Sequence, residues 1–278
     1  TPAGGAWTGS INVTSGGVFT PNGAEVSSLV YSYSIPATGC TKTDTMVVTV
    51  NPPIIPTIDP SLSICENSTS IDLNTLLNPS PNGGVWTGTG VTNPLFNPST
   101  AGVGTFTIDY TYGSGTCQTV VSSLITVDPA PVISVNSGTI CNGESINLIS
   151  TGAGVGGTYA WSPTTALSCS NCDTPTANPS TTTIYTVSGT NSFGCSRTAN
   201  ATVMVNPLPI VNAGADQTVC DQPIAVTLIG TPAGGSWSGS GNVTSAGIFT
   251  PNGPEITTLY YTYSIPATAC TTIDSMVM

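Results

Sequence analysis

The chain has almost no basic residues and no histidine. Its 278 residues include one lysine and one arginine, Lys42 and Arg197, against 13 acidic residues, so the formal net charge is -11. Binding to nucleic acid or to anionic lipid headgroups requires several basic side chains that neutralise phosphates. The composition therefore excludes nucleic acid as a partner and argues against direct binding to a membrane surface.

Charged residues and long hydrophobic runs are scarce as well. Charged residues make up 5% of the chain, against roughly 25% in ordinary globular domains. The hydrophobic share of 38% allows a packed core, so Thr, Ser, Asn and Gly must supply the polar surface. No apolar run approaches the roughly 18 residues of a membrane span, and we expect no direct membrane insertion.

Side chains for catalysis are missing too. Without histidine and with a single lysine, the chain has no Ser-His-Asp or Cys-His arrangement, which leaves only carboxylate pairs. Asp216 and Asp221 form the closest such pair, but they flank Cys220 at the start of a repeat unit. A glycosidase needs two carboxylates facing one cleft, and the acidic residues here are scattered. We predict no enzyme and no catalytic residue.

What the chain does contain is a duplication. Residues 1–48 and 231–278 align without a gap, and 32 of the 48 positions are identical. Self-similarity over such a length indicates a modular array. Because the chain opens and stops inside this repeat, we expect it to be a segment of a longer polypeptide.

Three features recur in each unit of about 75–80 residues: an early cysteine, a tryptophan and a late cysteine. Proline-rich linkers follow residues 51, 128 and 206, where proline ends a strand because it has no N–H to donate. We therefore predict a partial module at 1–51, two complete modules at 52–128 and 129–206, and a nearly complete one at 207–278.

Local patterns within each unit predict strands. Segments such as 29–35, 105–112 and 259–263 alternate or are rich in aromatic and β-branched residues. Turns are supplied by Pro-Asn-Gly and Gly-Gly, and no capped helical periodicity is present. The predicted fold class is all-β, a tandem array of two-sheet sandwiches of the immunoglobulin type.

Nine cysteines are present, and their spacing predicts one disulfide per module. The separations of 52, 54 and 50 residues predict three pairs, which are Cys65–Cys117, Cys141–Cys195 and Cys220–Cys270. Each would stabilise its module by roughly 4 kcal/mol in the chain-entropy model. Cys40 would then have its partner upstream of Thr1. Disulfides at this density indicate an extracellular protein.

Cys169 and Cys172 are left over, as a local Cys-x-x-Cys pair. A zinc site would need two more ligands, and a redox motif of the thioredoxin type would need a helix after the first cysteine. We therefore predict a local structural disulfide and no metal.

Each unit has one tryptophan, namely Trp7, Trp86, Trp161 and Trp237. Two interpretations are open, a core residue of the sandwich or a platform on which a sugar ring stacks. Recurrence in every unit favours the core. No cofactor is predicted; calcium at the module junctions stays an alternative, although Asp59 and Asp128 supply fewer oxygens than the six to eight that calcium binds.

Several motifs resemble a known class of repeats. Residues 211–220 (VNAGADQTVC) resemble the start of PKD-type immunoglobulin-like domains. Residues 141–145 (CNGES), 159–163 (YAWSP), 169–172 (CSNC), 183–187 (TIYTV) and 194–195 (GC) complete the pattern. Together they resemble the tandem PKD-like and Ig-like repeats of giant surface proteins of Bacteroidetes, above all the gliding-motility adhesins exported by type IX secretion. The resemblance covers all 278 residues.

This resemblance implies a location and a role. It implies an extracellular filament anchored to the outer membrane, moved by a surface motor and gripping a substratum or surface polysaccharide through the full-length protein. Thr45 and Ser275, each between Asp and Met, resemble the O-glycosylation sites of that phylum. We therefore expect a stiff, disulfide-stapled stalk in adhesion and gliding. The alternatives are a spacer in another secreted protein and modules that bind glycan directly.

Overall fold

The chain is built almost entirely of strands. A computed structural model describes residues 2–278, apart from the side chain at position 116; Thr1, the first residue of the duplicated stretch, lies outside the described residues. The chain divides into two compact units, residues 1–128 and 129–278. The all-β prediction is confirmed. Each sheet lies wholly within one of four segments, which are 2–51, 52–128, 129–206 and 207–278.

The first unit starts with a single three-stranded sheet. Its strands are β1 (Ala6–Thr8), β2 (Glu25–Ser34) and β3 (Thr41–Val50), in the order β1-β2-β3. Both pairings are antiparallel, and β2 and β3 form a hairpin over ten residue pairs. On β2, Ser27, Leu29 and Tyr31 are buried, as period-2 alternation requires.

The rest of the first unit is a two-sheet sandwich. Its elements are β4 (Leu62–Cys65), β5 (Ile71–Asp72), α1 (Leu73–Leu76), β6 (Val85–Gly88), β7 (Val91–Thr92), β8 (Leu95–Phe96), α2 (Pro98–Ala101), β9 (Gly104–Tyr112) and β10 (Thr119–Asp128), with a 3₁₀ turn at Gly115–Cys117. The sheets have the orders β4-β10-β9-β6 and β5-β8-β7.

Both sheets of this sandwich contribute to one core. The buried cluster combines residues of β6, β8, β9, β10 and the α1 region: Leu73, Leu77, Trp86, Phe96, Ile108, Tyr110, Ile125 and Val127. Both short helices begin at a side-chain cap. Asp72 accepts a hydrogen bond from the N–H of Asn74, and Asn97 accepts from the N–H groups of Ser99 and Thr100.

The second unit begins with a similar sandwich. Its strands are β11 (Ser134–Val135), β12 (Gly138–Cys141), β13 (Ile146–Asn147), β14 (Ser150–Thr151), β15 (Thr158–Ser162), β16 (Thr176–Ala177), β17 (Thr183–Thr190) and β18 (Ser196–Asn206). The main sheet has the order β12-β18-β17-β15, with the two-stranded pairs β11-β14 and β13-β16 beside it. Trp161, Tyr185, Val187 and Val203 lie in its core.

The second unit ends with a third core. Its strands are β19 (Val226–Thr227), β20 (Ser236–Ser238), β21 (Ile248–Phe249), β22 (Thr258–Ser264) and β23 (Thr271–Val277), in the sheets β19-β21 and β20-β22-β23. Trp237, Phe249, Leu259 and Met276 lie in the buried cluster.

One pairing rule fixes where the cysteines lie. The first strand of the main sheet runs parallel to the last one, in both β4 with β10 and β12 with β18. The register places Cys65 opposite Asp128 and Cys141 opposite Asn206. In each case the first cysteine of the segment therefore lies at the end of that segment's last strand.

Candidate functional site

Three of the four tryptophans lie in the buried cores. Trp86, Trp161 and Trp237 are 1–4% exposed, whereas Trp7 is half-buried in its three-stranded sheet. Three of the four rings pack against the tyrosine directly opposite on the neighbouring strand, with centroids 4.6–5.1 Å apart (Trp7–Tyr31, Trp86–Tyr110 and Trp237–Tyr261). The three buried indoles are covered by protein, as the core interpretation predicts, and offer no open face to a sugar ring. Trp7 does not lie in a buried core.

Two of the indole N–H groups donate hydrogen bonds within their own segments. Trp86 donates to the Asn74 side-chain oxygen at 2.9 Å, and Trp161 donates to the Cys172 carbonyl at 2.8 Å. A hydrogen-bonded indole in a core carries no cost of an unsatisfied polar group. Close packing continues at Gly247, where an added Cβ would lie 2.7 Å from Cδ1 of Trp237.

A tyrosine hydroxyl forms two hydrogen bonds with the backbone of the turn that precedes each of three tryptophans. Tyr110 accepts from the N–H of Gly84 at 2.7 Å and donates to the Pro81 carbonyl at 2.9 Å. Tyr261 repeats this with its own Gly and Pro at 2.8 and 2.6 Å, and Tyr31 bonds the equivalent atoms of Gly5 and Pro2. We call this arrangement the tyrosine clamp.

The clamp was not predicted from the sequence, although the chain carries a signal for it. A tyrosine follows each tryptophan by 24 residues in all four units, and Pro-x-Gly-Gly precedes three of the tryptophans. In the fourth case, Tyr185 donates to the Thr165 carbonyl at 3.1 Å. Burial raises the pKa of Tyr185, because the anionic form would lose its hydration.

The cysteines are paired differently from the prediction, with one exception. Cys169 and Cys172 form the predicted local disulfide. Cys141, however, is bonded to Cys270, with the Cα atoms 5.5 Å apart. The bond joins segment 129–206 to segment 207–278, so the predicted pairs Cys141–Cys195 and Cys220–Cys270 are wrong.

The pair Cys65–Cys117 is wrong as well. Cys117 and Cys220 have free, exposed thiols, as does Cys40, whereas Cys65 and Cys195 are disulfide-bonded. The prediction that cysteines 65, 141, 195 and 270 form disulfides is therefore confirmed. The prediction that each bonds a partner within its own segment is wrong.

Strand register explains why pairing within a segment fails. Cys195 directly precedes the 11-residue strand β18, and Cys141 lies opposite its last residue. At 3.3 Å per residue the two cysteines are about 35 Å apart, whereas a disulfide needs Cα atoms within about 7 Å. Cys117 and Cys65 are separated in the same way by the ten residues of β10.

The carboxylates are used in backbone contacts. Asp216 accepts from the N–H of Val277 at 2.8 Å, and Asp221 accepts from the N–H of Gly253 at 2.9 Å. They line an open cavity of about 670 Å³ together with Glu255. Among the described residues, no group of three or more His, Cys, Asp or Glu side chains is placed to hold a metal ion. Each of these two acids therefore has a structural role.

The two candidate O-glycosylation residues are exposed on equivalent strands. Thr45 lies on β3 opposite Val30, and Ser275 lies on β23 opposite Tyr260. The preceding aspartates differ in their contacts. Asp274 accepts from the N–H of Ala213 at 2.8 Å, whereas Asp44 accepts from the N–H of Thr45 itself at 2.9 Å.

No protein-family model and no curated protein sequence matches the chain. The chain is similar to solved structures that include tandem Ig domains, an adhesin and a titin fragment. The eight N-terminal Ig domains of Down syndrome cell adhesion molecule are 12% identical, with a TM-score of 0.38, covering 99% of this chain and 45% of that one. A calcium-stabilised adhesin of an Antarctic bacterium that binds ice is 14% identical, with a TM-score of 0.33, covering 91% and 80%. An I-band fragment of titin is 14% identical, with a TM-score of 0.31, covering 91% and 93%.

Within the described residues, no helix is both long and apolar enough to cross a membrane.

Proposed function

We propose that the chain is a structural segment of an extracellular filamentous adhesin, in which consecutive Ig-like modules are fastened to each other covalently. The observation that carries this proposal is the Cys141–Cys270 disulfide, which links segment 129–206 to segment 207–278. Such a bond persists in an oxidising, extracellular environment. The four segments are the modules of the proposal, and the array forms a stiff stalk.

Other features support a role without chemistry. The three core clusters are filled, and Asp216 and Asp221 accept hydrogen bonds from backbone N–H groups. The net charge of -11 and the hydroxyl-rich surface limit association between exposed sheet edges. This combination suits a chain that must stay extended and soluble at the cell surface.

At a finer level, the motif resemblance supports a gliding-motility adhesin of Bacteroidetes. In this proposal the full-length protein is exported by type IX secretion, anchored to the outer membrane and coupled to a surface motor, and it grips a substratum or surface polysaccharide. The exposure of Thr45 and Ser275 is what O-glycosylation at these positions would need. Mass spectrometry of the protein from its native source tests this: unmodified hydroxyls at both positions would refute the glycosylation.

Small-angle X-ray scattering tests the stalk. With strands of about ten residues at 3.3 Å, each module adds roughly 35 Å, so the array would be about 125 Å long with a radius of gyration of about 36 Å. A compact chain of 278 residues would have a radius of gyration of about 19 Å. A measured value near 19 Å would refute the stalk.

A glycan array separates the stalk from direct glycan binding. We expect the purified chain to bind no glycan, because three of its four tryptophans are 1–4% exposed. A glycan bound in the micromolar range, and lost on Trp7→Ala, would favour the glycan-binding alternative, because Trp7 is the half-buried one.

A further inference from the structure

The cysteines outside the local pair fall into two positional classes. An early cysteine follows an apolar residue that packs into a core, and a late cysteine lies one or two residues before the last strand of its segment. The early class is Cys65, Cys141 and Cys220, after Ile64, Ile140 and Val219; the late class is Cys40, Cys117, Cys195 and Cys270.

No early cysteine is bonded to the late cysteine of its own segment. Cys141 bonds the late cysteine of the next segment, Cys270. Cys65 is disulfide-bonded although Cys117, the late cysteine of its segment, is free. The structure therefore shows an early-to-late bond across a segment boundary, and it leaves one early thiol, Cys220, free and exposed.

Cys220 shares with the bonded early cysteines that it is the first cysteine of its segment and follows a residue, Val219, that packs against the core. The N–H of Gln217 donates to the Val277 carbonyl at 2.9 Å, so this stretch runs beside the end of the last strand β23. The N–H of Asn142 donates to the Asn206 carbonyl at 2.9 Å beside β18 in the same way. The stretch that carries Cys220 thus runs beside the last strand of its segment, as that of Cys141 does, although Gln217 precedes Cys220 by three residues whereas Asn142 follows Cys141 by one.

The chain also shows what such a partner looks like. Residues 35–41 repeat residues 265–271, the hairpin that presents Cys270 to Cys141, with one difference, Gly39 in place of Ala269. The N–H of Ile35 donates to the Cys40 carbonyl at 2.9 Å, as that of Ile265 does to Cys270 at 2.9 Å. The flanking hydroxyl pairs, Ser34 with Thr41 and Ser264 with Thr271, are 2.7 and 2.6 Å apart. Cys40 differs from Cys270 in being free and exposed.

We propose that Cys220 is a covalent attachment site for the late cysteine of a further Ig-like module, presented on a hairpin like that of Cys40. The bond repeats the Cys141–Cys270 connection at the next boundary. The hairpin comes either from the same polypeptide or from a second copy of this chain. The proposal rests on the observed bond and stands whether or not the chain belongs to an adhesin.

Bond formation requires an oxidant, which is a low-molecular-weight disulfide such as oxidised glutathione. The Cys220 thiolate attacks this disulfide, forms a mixed disulfide and releases one thiol. The thiolate of the late cysteine then attacks the Cys220 sulfur of the mixed disulfide and displaces the second thiol. The two protein thiols lose two protons and two electrons, and these reduce one small disulfide to two thiols.

Complementary variants test whether the two classes recognise each other. One chain carries Cys220→Ser and keeps the late thiols, and the other carries Cys40→Ser with Cys117→Ser and keeps the early thiol. Each chain, at micromolar concentration, is incubated with oxidised glutathione, either alone or mixed with the other chain. The products are separated on non-reducing gels. We expect a covalent dimer in the mixture at least tenfold above either chain alone, with peptide mapping joining Cys220 to Cys40. Equal dimer from the Cys220-only chain by itself would overturn the proposal.

The Cys40 hairpin has a matched control in the same chain. In the Cys220→Ser partner, adding Cys40→Ser should abolish the dimer, whereas adding Cys117→Ser should leave it unchanged, because residues 113–117 form a different turn ending in a 3₁₀ helix. A dimer that depends on Cys117 instead would contradict the assignment of the hairpin.

The source of the hairpin is decided on the full-length protein, isolated without reductant and alkylated before digestion. A Cys220 peptide linked to a late-type cysteine supports the proposal. A linked species of monomer mass assigns the hairpin to the same polypeptide, and one of dimer mass assigns it to a second copy. Alkylation of Cys220 as a free thiol in this preparation would refute the proposal.

Discussion

Removing the Cys141–Cys270 bond should change how two segments unfold, and not only how stable they are. The perturbation is Cys141→Ser with Cys270→Ser, which leaves no new free thiol. With the bond intact, we expect segments 129–206 and 207–278 to unfold in one transition. Without it, we expect two transitions at lower temperatures.

The magnitude follows from the lengths of the loops that the bond closes. If both segments unfold, the bond closes a loop of sequence separation 129, which disfavours the unfolded state by about 5 kcal/mol in the chain-entropy model. If only 207–278 unfolds, Cys141 stays fixed beside Asn206. The bond then closes a loop of about 65 residues, which disfavours the unfolded form of this segment by about 4.3 kcal/mol. A loop of similar length is closed when only 129–206 unfolds. Once one segment has unfolded, the bond opposes unfolding of the second by only about 0.7 kcal/mol, so the two unfold together.

Differential scanning calorimetry on the oxidised chain and the double variant measures both effects. The matched control is Cys169→Ser with Cys172→Ser, which removes a disulfide of sequence separation 3 within one segment. This bond disfavours the unfolded state by about 2 kcal/mol in the chain-entropy model. Its removal should leave the number of transitions unchanged. The reasoning is refuted if the Cys141/Cys270 variant keeps the same number of transitions and loses less than about 1 kcal/mol.

Three further predictions concern single side chains. Tyr261→Phe removes both hydrogen bonds of the clamp hydroxyl and should cost about 2–3 kcal/mol in urea unfolding, whereas Tyr260→Phe on the exposed face of the same strand should cost less than about 0.5 kcal/mol. Gly247→Ala should destabilise the fold by more than about 2 kcal/mol, because both its φ of +85° and the adjacent indole of Trp237 oppose a Cβ. Gly253→Ala is the control: with φ +93° and open space around it, it measures the cost of the backbone conformation alone. Equal losses in the two variants would exclude a steric contribution from the indole. Because burial raises the pKa of Tyr185 in the folded state, its contribution is complete below the unfolded pKa of about 10 and is lost as pH rises above it; Tyr185→Phe should remove this alkaline loss in pH-dependent melts, and an unchanged loss would contradict the assignment.

The fold class could be predicted because several local signals agree. The alternation along residues 105–112 becomes β9, whose Ile108 and Tyr110 are fully buried. The proline-rich stretches after residues 51, 128 and 206 each separate one sheet system from the next. The short helices α1 and α2 were missed, because four residues are too few to show a helical period.

Cysteine pairing could not be predicted from spacing, because equal spacing has two explanations. Separations of 50–54 residues recur whenever a repeat places an early and a late cysteine at fixed positions, whether they bond each other or a neighbour. The decisive fact is the parallel pairing of β12 with β18, which places Cys141 and Cys195 at opposite ends of one strand. Recognising β12 as a partner of the last strand would have excluded the pair Cys141–Cys195.

The Cys141–Cys270 bond also changes the route that a mechanical load takes through the chain. If tension is applied at residues 129 and 278, the shortest covalent path enters at 129, leaves at Cys141, crosses the sulfur bridge and continues from Cys270. The 128 residues from 142 to 269 then carry no load, even after they unfold. At roughly 3.5 Å per residue, full extension is limited to about 80 Å by the 22 residues on that path, against about 520 Å for the reduced chain. The disulfide therefore acts as a limiter of length.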